Sequence, residues 1–203
     1  MSDRYRLSFT TGGLLLREAS TVVARYLAIR DWREARDQVR QENLLQVRTA
    51  AAATRISKEV TARLELLDDA ELEALQEIGL REQAYLLWVA ACRRYTFIRA
   101  FATEVLREHH LSLRRELSFA DYDNFYNSKA LWHPELDELT PSTQQKLRQN
   151  LFRMLREADL ISEQHVIQAA LLSPHLVELL ARRGAGDLMV FPVSDSEIQR
   201  WLA

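Results

Sequence analysis

Thr140-Pro141-Ser142-Thr143-Gln144-Gln145-Lys146-Leu147-Arg148-Gln149-Asn150-Leu151-Phe152-Arg153-Met154-Leu155-Arg156-Glu157-Ala158 is the stretch that says most about how this chain folds. Thr140 suits an N-cap, since its hydroxyl can accept from an orphan backbone N–H of the first turn. Pro141 suits the first helical position, where its missing N–H costs nothing. At about 100° per residue, Leu147, Leu151, Met154, Leu155 and Ala158 share one stripe that needs a core to cover it. The opposite arc collects Ser142, Gln145, Lys146, Gln149, Arg153 and Arg156. That arc holds amides, a hydroxyl and cations, with no carboxylate before Glu157 on its flank. Glutamine pairs in bidentate fashion with adenine, arginine with guanine, and all of these groups suit phosphate oxygens.

Downstream, Ala158-Asp159-Leu160-Ile161 ends the helix and turns apolar. Leu188-Met189-Val190-Phe191-Pro192-Val193 reads as a strand able to pair with a short one near Ile161. A helical stretch over about 163–183, marked by Ser173-Pro174, lies between them. Upstream, Ser118 opens a short aromatic helix over 119–131, and Pro134 and Pro141 punctuate the turn that follows. Short helix, proline turn, basic-faced helix, strand and strand is the order of a winged helix-turn-helix. Residues 118–203 are therefore expected to form a winged-helix-like unit with a small β-hairpin.

The first 117 residues read as a helical bundle. Arg4-Tyr5-Arg6-Leu7-Ser8-Phe9 alternates polar and apolar and predicts a short half-buried strand. A helix follows the Thr10-Thr11-Gly12-Gly13 break and runs to Ile29. Asp31 caps a second helix over 32–43 that carries Arg33, Arg36 and Arg40. A third spans 47–67, and Asp68-Asp69 caps a short acidic helix ending near Gly79. Residues 81–109 predict the longest helix, apolar on nearly every side, which belongs in the middle of a bundle. The fold class is mostly α, with the two parts, 1–117 and 118–203, packed as one unit.

Composition removes several function classes. The longest apolar run, Ala84 to Cys92, is far short of the roughly 20 residues of a membrane span. No secretory signal opens the chain, and the single cysteine excludes an intrachain disulfide framework, so a cytoplasmic location is expected. No phosphate-binding glycine loop, HExxH, CxxC or Gly-x-Ser-x-Gly elbow is present. The five histidines (His109, His110, His133, His165, His175) form no recognisable triad or metal set. Asp121 and Asp123 lack the glycine and further carboxylates of a calcium loop, so 118–123 reads as a helix start. No catalytic residue, metal or cofactor is expected.

Net charge is −2, yet it is unevenly distributed. Residues 1–63 hold 12 basic and 7 acidic side chains, whereas residues 64–80 hold six acidic and none basic. Residues 141–158 hold four basic and one acidic. A near-neutral chain can still present a basic face if such blocks fold onto different sides. Arginine outnumbers lysine 24 to 3, a bias that suits phosphate recognition but that a GC-rich genome also produces.

Several blocks resemble the BrxA family of bacteriophage exclusion (BREX) defence systems. They are Ser8-Phe9-Thr10-Thr11-Gly12-Gly13-Leu14-Leu15, Arg93-Arg94-Tyr95-Thr96-Phe97-Ile98-Arg99 with Phe101, and His133-Pro134-Glu135-Leu136. Ser142-Thr143 with Lys146-Leu147-Arg148, and Met154-Leu155-Arg156-Glu157-Ala158, complete the set. They span almost the whole chain in order, and none is a catalytic signature. The resemblance implies a small helical protein that binds double-stranded DNA and acts in host methylation and phage restriction. It also implies neighbours in the same system: a methyltransferase, a phosphatase-like protein and an ATPase.

The leading expectation is a non-enzymatic DNA-binding subunit with low sequence specificity. Its contacts would come from Ser142, Gln145, Lys146, Gln149, Arg153 and Arg156, extended by Arg4, Arg6, Arg33, Arg36 and Arg40. Two alternatives stay open at the level of sequence. One is an assembly subunit that docks its basic face on an acidic protein partner, and the other is a helical RNA-binding protein. No membrane association is expected.

Overall fold

The computed structural model describes residues 4–202. The first helices are α1 (Leu16–Ile29), α2 (Trp32–Gln41), α3 (Ala50–Leu64), α4 (Asp69–Glu77), α5 (Leu80–Arg94) and α6 (Thr96–Phe101). They continue with α7 (Glu108–Leu111), α8 (Phe119–Ala130), α9 (Pro134–Asp137), α10 (Pro141–Glu157), α11 (Pro174–Ala181) and α12 (Asp195–Leu202). A π-helical turn, Ala102–Arg107, joins α6 to α7, and a 3-10 turn, Ala185–Val190, joins α11 to α12. The protein is mostly α.

Local chemistry sets many of the helix starts. Asp31, Thr49, Asp68, Ser118, Thr140 and Ser173 each accept from the backbone N–H three residues on. Each such bond satisfies one donor that the helix itself leaves orphaned. Asp68 with Glu71, and Ser118 with Asp121, close reciprocal capping boxes. α1 starts later than the sequence suggests, after Leu15 in the left-handed region (φ 61°). The preceding residues are held by α10: Asn150 Nδ2 donates to the Phe9 carbonyl at 2.9 Å, and Leu14 N–H donates to Glu157.

α5 lies at the centre, with every residue from Ala84 to Cys92 buried. α1, α3, α4, α10 and the 3-10 turn all pack on it. One continuous apolar cluster runs from Phe9 to Ile198 and takes in residues from both halves of the chain. The single long helix expected over 81–109 is interrupted at Tyr95, which is extended (φ −123°, ψ 95°). There the buried phenol donates to Glu59 Oε1 at 2.6 Å. Burial, with Glu59 beside it, pushes the Tyr95 phenol well above its ordinary range.

The exit of α5 carries a buried ionic cluster. Arg93 forks onto both carboxylate oxygens of Glu71 at 2.6 and 2.7 Å, and also reaches Asp187 Oδ2 at 2.8 Å and the Leu66 carbonyl at 3.0 Å. The Glu71 side chain is fully buried and that of Asp187 nearly so. Arg99 completes the shell of Asp187 at 3.0 Å. The cluster ties α4, α5 and the 3-10 turn together through charge-assisted bonds.

The expected strands do not form. Among the described residues, β pairing is confined to two isolated antiparallel bridges, Glu116 with Val166 and Ile161 with Ile167. Residues 4–9 keep the predicted alternation, with Phe9 buried, Tyr5 and Leu7 half-buried, and Arg4, Arg6 and Ser8 exposed. They lie on helices, however, and their backbone bonds to side chains: Tyr5 N–H donates to Glu135 and the Phe9 carbonyl accepts from Asn150. The hairpin of Ile161 with 188–193 is absent because Asp187 is drawn to Arg93 and Arg99, and Trp88 Nε1 donates to the Val190 carbonyl at 3.0 Å. These anchors hold Leu188 to Val190 in the 3-10 turn.

The helix expected over 163–183 contracts to α11. The residues before it direct their N–H groups across the fold: Ile167 to the Arg115 carbonyl (2.7 Å), Gln168 to the Leu160 carbonyl (2.9 Å) and Ser173 to Glu82 (3.2 Å).

Replacing Arg93 by Met leaves the Glu71 and Asp187 carboxylates in a buried site without their main cation. Breaking a buried pair from one side costs about 3–5 kcal/mol. Urea unfolding of Arg93→Met should show a loss of that order, and a loss below about 1 kcal/mol would show that the cluster does not hold the fold together.

Candidate nucleic-acid interface

α10 is amphipathic in the sense the sequence predicts. Leu147, Leu151, Phe152, Met154 and Leu155 are buried. Ser142, Gln145, Lys146, Gln149 and Arg153 are exposed, and Arg156 is half-buried at the far end.

Two borders frame this face. Along one side runs the 8–14 segment, fixed by the Asn150 bond to the Phe9 carbonyl and the Leu14 bond to Glu157. Glu157, the face's only carboxylate, is thereby turned towards the segment, and Arg153 Nε reaches its other oxygen at 2.7 Å. Gly13 makes this possible, because a Cβ at that position would overlap the Glu157 carboxylate. On the other side lies α8. Arg148 Nη1 donates to both carboxylate oxygens of Asp123, at 2.7 and 2.8 Å, with the guanidinium 4.9 Å from the Phe119 ring centre. Phe119 meets Phe152 edge-on at 4.7 Å. Arg148 is thus a packing residue of the α8–α10 contact, and the outer face does not include it.

A cleft of about 350 Å³ opens between α8 and the start of α10, lined by Tyr122, Tyr126, Asn127, Gln144, Gln145 and Arg148 among others. Burial pushes both tyrosines up, Tyr126 to about 12, with Asp137 adding to the effect. Their hydroxyls stay protonated at neutral pH, and that of Tyr126 donates to the Leu136 carbonyl at 2.6 Å. In the last turn of α10, Arg156 lies 3.3 Å from His165 Nε2 and 3.6 Å from Glu163.

The remaining predicted contacts are scattered. Arg4 is exposed and bridged to Glu138 at 2.7 Å. Arg33, Arg36 and Arg40 sit on α2, whose packing neighbours are α1 and α3, and Arg40 pairs with Asp37 at 3.6 Å. Arg6 opens onto a recess shared with Arg55, Lys58 and Arg94. Sequence reasoning missed the last three residues. The i, i+3 spacing of Arg55 and Lys58 in the most basic segment was a usable signal, whereas Arg94 joins them only through tertiary packing. Among the described residues no group of three or more His, Cys, Asp or Glu could hold a metal ion, and no helix is long and apolar enough to cross a membrane.

Gly13→Ala should displace the Glu157 carboxylate and leave the Leu14 N–H without its acceptor, at a cost of about 1–3 kcal/mol. Gly79, where an added Cβ meets nothing within 4 Å, supplies the control substitution. Equal unfolding midpoints for Gly13→Ala and Gly79→Ala would refute the close approach as the reason for glycine at position 13.

This geometry has counterparts among known proteins. The profile of the BrxA family matches residues 3–184. BREX protein BrxA of Escherichia coli O9:H4 (strain HS) is 27% identical over 194 residues, covering 93% of this chain and 90% of that protein. BREX protein BrxA of Bacillus cereus (strain H3081.97) is 25% identical over 159 residues, covering 77% and 80% respectively. The crystal structure of an uncharacterized protein from Magnetospirillum magneticum shares the fold, with a TM-score of 0.77 at 21% identity over 93% of this chain and 96% of that one. With the family profile matching nearly its full length, and with relatives in two bacteria carrying the same name, this chain belongs to the BrxA family.

Proposed function

We propose that this protein is a non-enzymatic, cytoplasmic subunit of a BREX phage-defence system that binds double-stranded DNA with little sequence preference. The observation that carries the reading is the outer face of α10. Ser142, Gln145, Lys146, Gln149 and Arg153 are exposed together, and the Glu157 carboxylate on their flank accepts from Leu14 N–H and pairs with Arg153. Cations, amides and a helix N-terminus capped by a hydroxyl are the groups that contact phosphates and base edges.

The order of elements around α10 supports the same reading. A bridge residue (Glu116), α8, the short α9, α10 and then the two bridge segments at Ile161 and at Val166–Ile167 follow one another in an order compatible with a winged helix-turn-helix. The wing in this reading is the short turn over 162–165, closed by Ser162 N–H to the Val166 carbonyl at 2.9 Å. α10 then occupies the position of the recognition helix. The names of the curated relatives support membership of a BREX system.

An electrophoretic shift of random duplex DNA over a salt series tests the proposal. Binding through about 6–10 phosphates should weaken about 10³–10⁵-fold between 50 and 200 mM salt. Lys146→Glu with Arg153→Glu should lower affinity at least about tenfold and flatten the salt slope by about 2, one unit for each lost phosphate contact. Absence of any shift at 50 mM salt by a protein that is folded and helical would overturn the reading in favour of an assembly role. Stronger retention of hairpin RNA than of duplex DNA at equal charge would overturn it in favour of RNA.

A further inference from the structure

A second cationic feature lies beyond the 8–14 segment. Arg6, two residues ahead of that segment, meets Arg55 and Lys58 from α3 and Arg94 from the last turn of α5 around a recess of about 460 Å³. Ser8, Thr10 and Thr11 add three hydroxyls to its wall. None of the four cations is ion-paired or hydrogen-bonded through its side chain to a described residue, and the buried Nε of Arg94 has no partner at all. Neighbouring arginines are ion-paired: Arg93 is saturated by Glu71 and Asp187, and Arg63 is bonded to Glu59 and the Gly13 carbonyl, with only its Nη2 left buried without a partner among the described residues.

One carboxylate, Glu59, also lines the recess. It forms no ion pair with the four cations, and its Oε1 accepts both from Arg63 at 2.7 Å and from the Tyr95 phenol at 2.6 Å. Arg63 also cancels its charge. The recess therefore concentrates positive charge at a concave surface, where low-dielectric walls focus the field. Guanidinium groups, an ammonium and hydroxyls lining one recess suit the tetrahedral, multiply charged oxygens of a phosphate better than a planar carboxylate. The volume falls within the roughly 300–1,000 Å³ of small-molecule sites. No aromatic ring is among the lining residues to stack on a base, so recognition rests on the anion itself.

We infer that this recess is a binding site for the phosphate or diphosphate end of a small ligand, separate from the outer face of α10. The inference does not rest on DNA binding by α10. Both can hold, and each fails on its own measurement.

Inorganic pyrophosphate is the probe, titrated calorimetrically into the full chain at 100 mM salt. Saturable binding at one site is expected. It should weaken at least tenfold in Arg55→Ala with Lys58→Ala, two exposed positions on α3, and stay within twofold in Lys146→Glu with Arg153→Glu. Arg6→Ala, outside any helix, carries the same expectation as the α3 pair and serves if that pair lowers the unfolding midpoint. Duplex DNA retention by Arg55→Ala with Lys58→Ala should stay within about threefold of the parent. Failure of pyrophosphate to saturate the parent protein would overturn the site, as would equal affinity in the recess variants. Loss of duplex retention in the recess variants without any pyrophosphate binding would overturn it too, by making the recess part of a nucleic-acid track.

Discussion

A helix with no solvent-facing side forces the rest of this molecule into place. From Ala84 to Cys92 every side chain of α5 is buried, so apolar stripes from several helices have to cover it on all sides. α1, α3, α4 and α10 supply that cover. Where α5 leaves the core, Arg93 has to bring a guanidinium with it, and burying that charge requires carboxylates with good geometry. Glu71 comes from the start of α4 and Asp187 from a turn more than ninety residues further along the chain. The requirement thus draws the C-terminal segment back onto α5 and settles its conformation. The apolar run 188–193, which on its own reads as a strand, has its first three residues wound into the 3-10 turn, anchored at Asp187 and Val190, instead. α10 enters the same arrangement through its inner stripe, and its polar face is left pointing outwards as a consequence.

Helix starts were legible in the sequence because their determinants are local. Asp31, Asp68, Ser118 and Thr140 all cap as their residue types suggest, each bonding within three residues. The inner and outer faces of α10 were legible for the same reason, since periodicity within one helix sorts them. Strands were not, because an alternating segment becomes a strand only when another backbone lies beside it. Residues 4–9 have the alternation but face helices, and Tyr5 stacks on His133 at 3.8 Å while meeting Phe97 edge-on at 5.4 Å. The interruption of the long helix at Tyr95 was equally out of reach. It depends on a bond to Glu59, thirty-six residues away in sequence.

Charge blocks along the sequence convert poorly into surface patches here. The acidic stretch 64–80 would suggest an acidic face, yet much of it is engaged internally. Glu71 is buried against Arg93, Asp69 and Glu73 both pair with Arg30, and Asp68 lies 3.7 Å from Arg183. Arg25 with Glu42, Arg81 with Asp159 and Arg107 with Asp195 likewise join distant parts of the chain. The many arginines are in large part the structural counterparts of these acids. The informative cations are therefore the ones left over after this pairing, and block arithmetic does not single them out.

The loop over 8–14 runs between the outer face of α10, where Arg153 holds Glu157 and Arg156 approaches Glu163, and the recess where such leftovers gather. Its glycine at 13 admits the Glu157 carboxylate, and its Leu14 N–H holds one oxygen of that group while Arg153 of α10 holds the other. Its hydroxyls at 8, 10 and 11 line the recess of Arg6, Arg55, Lys58 and Arg94. The same loop is held by Asn150 of α10 on one side, while the Gly13 carbonyl is held by Arg63 of α3 on the other. A ligand that drew Arg55, Lys58 or the loop hydroxyls inwards would pull on the segment that positions Glu157. The Ser-Phe-Thr-Thr-Gly-Gly stretch is in this sense a shared wall: Gly13 admits Glu157 of α10, and the hydroxyls at 8, 10 and 11 line the recess.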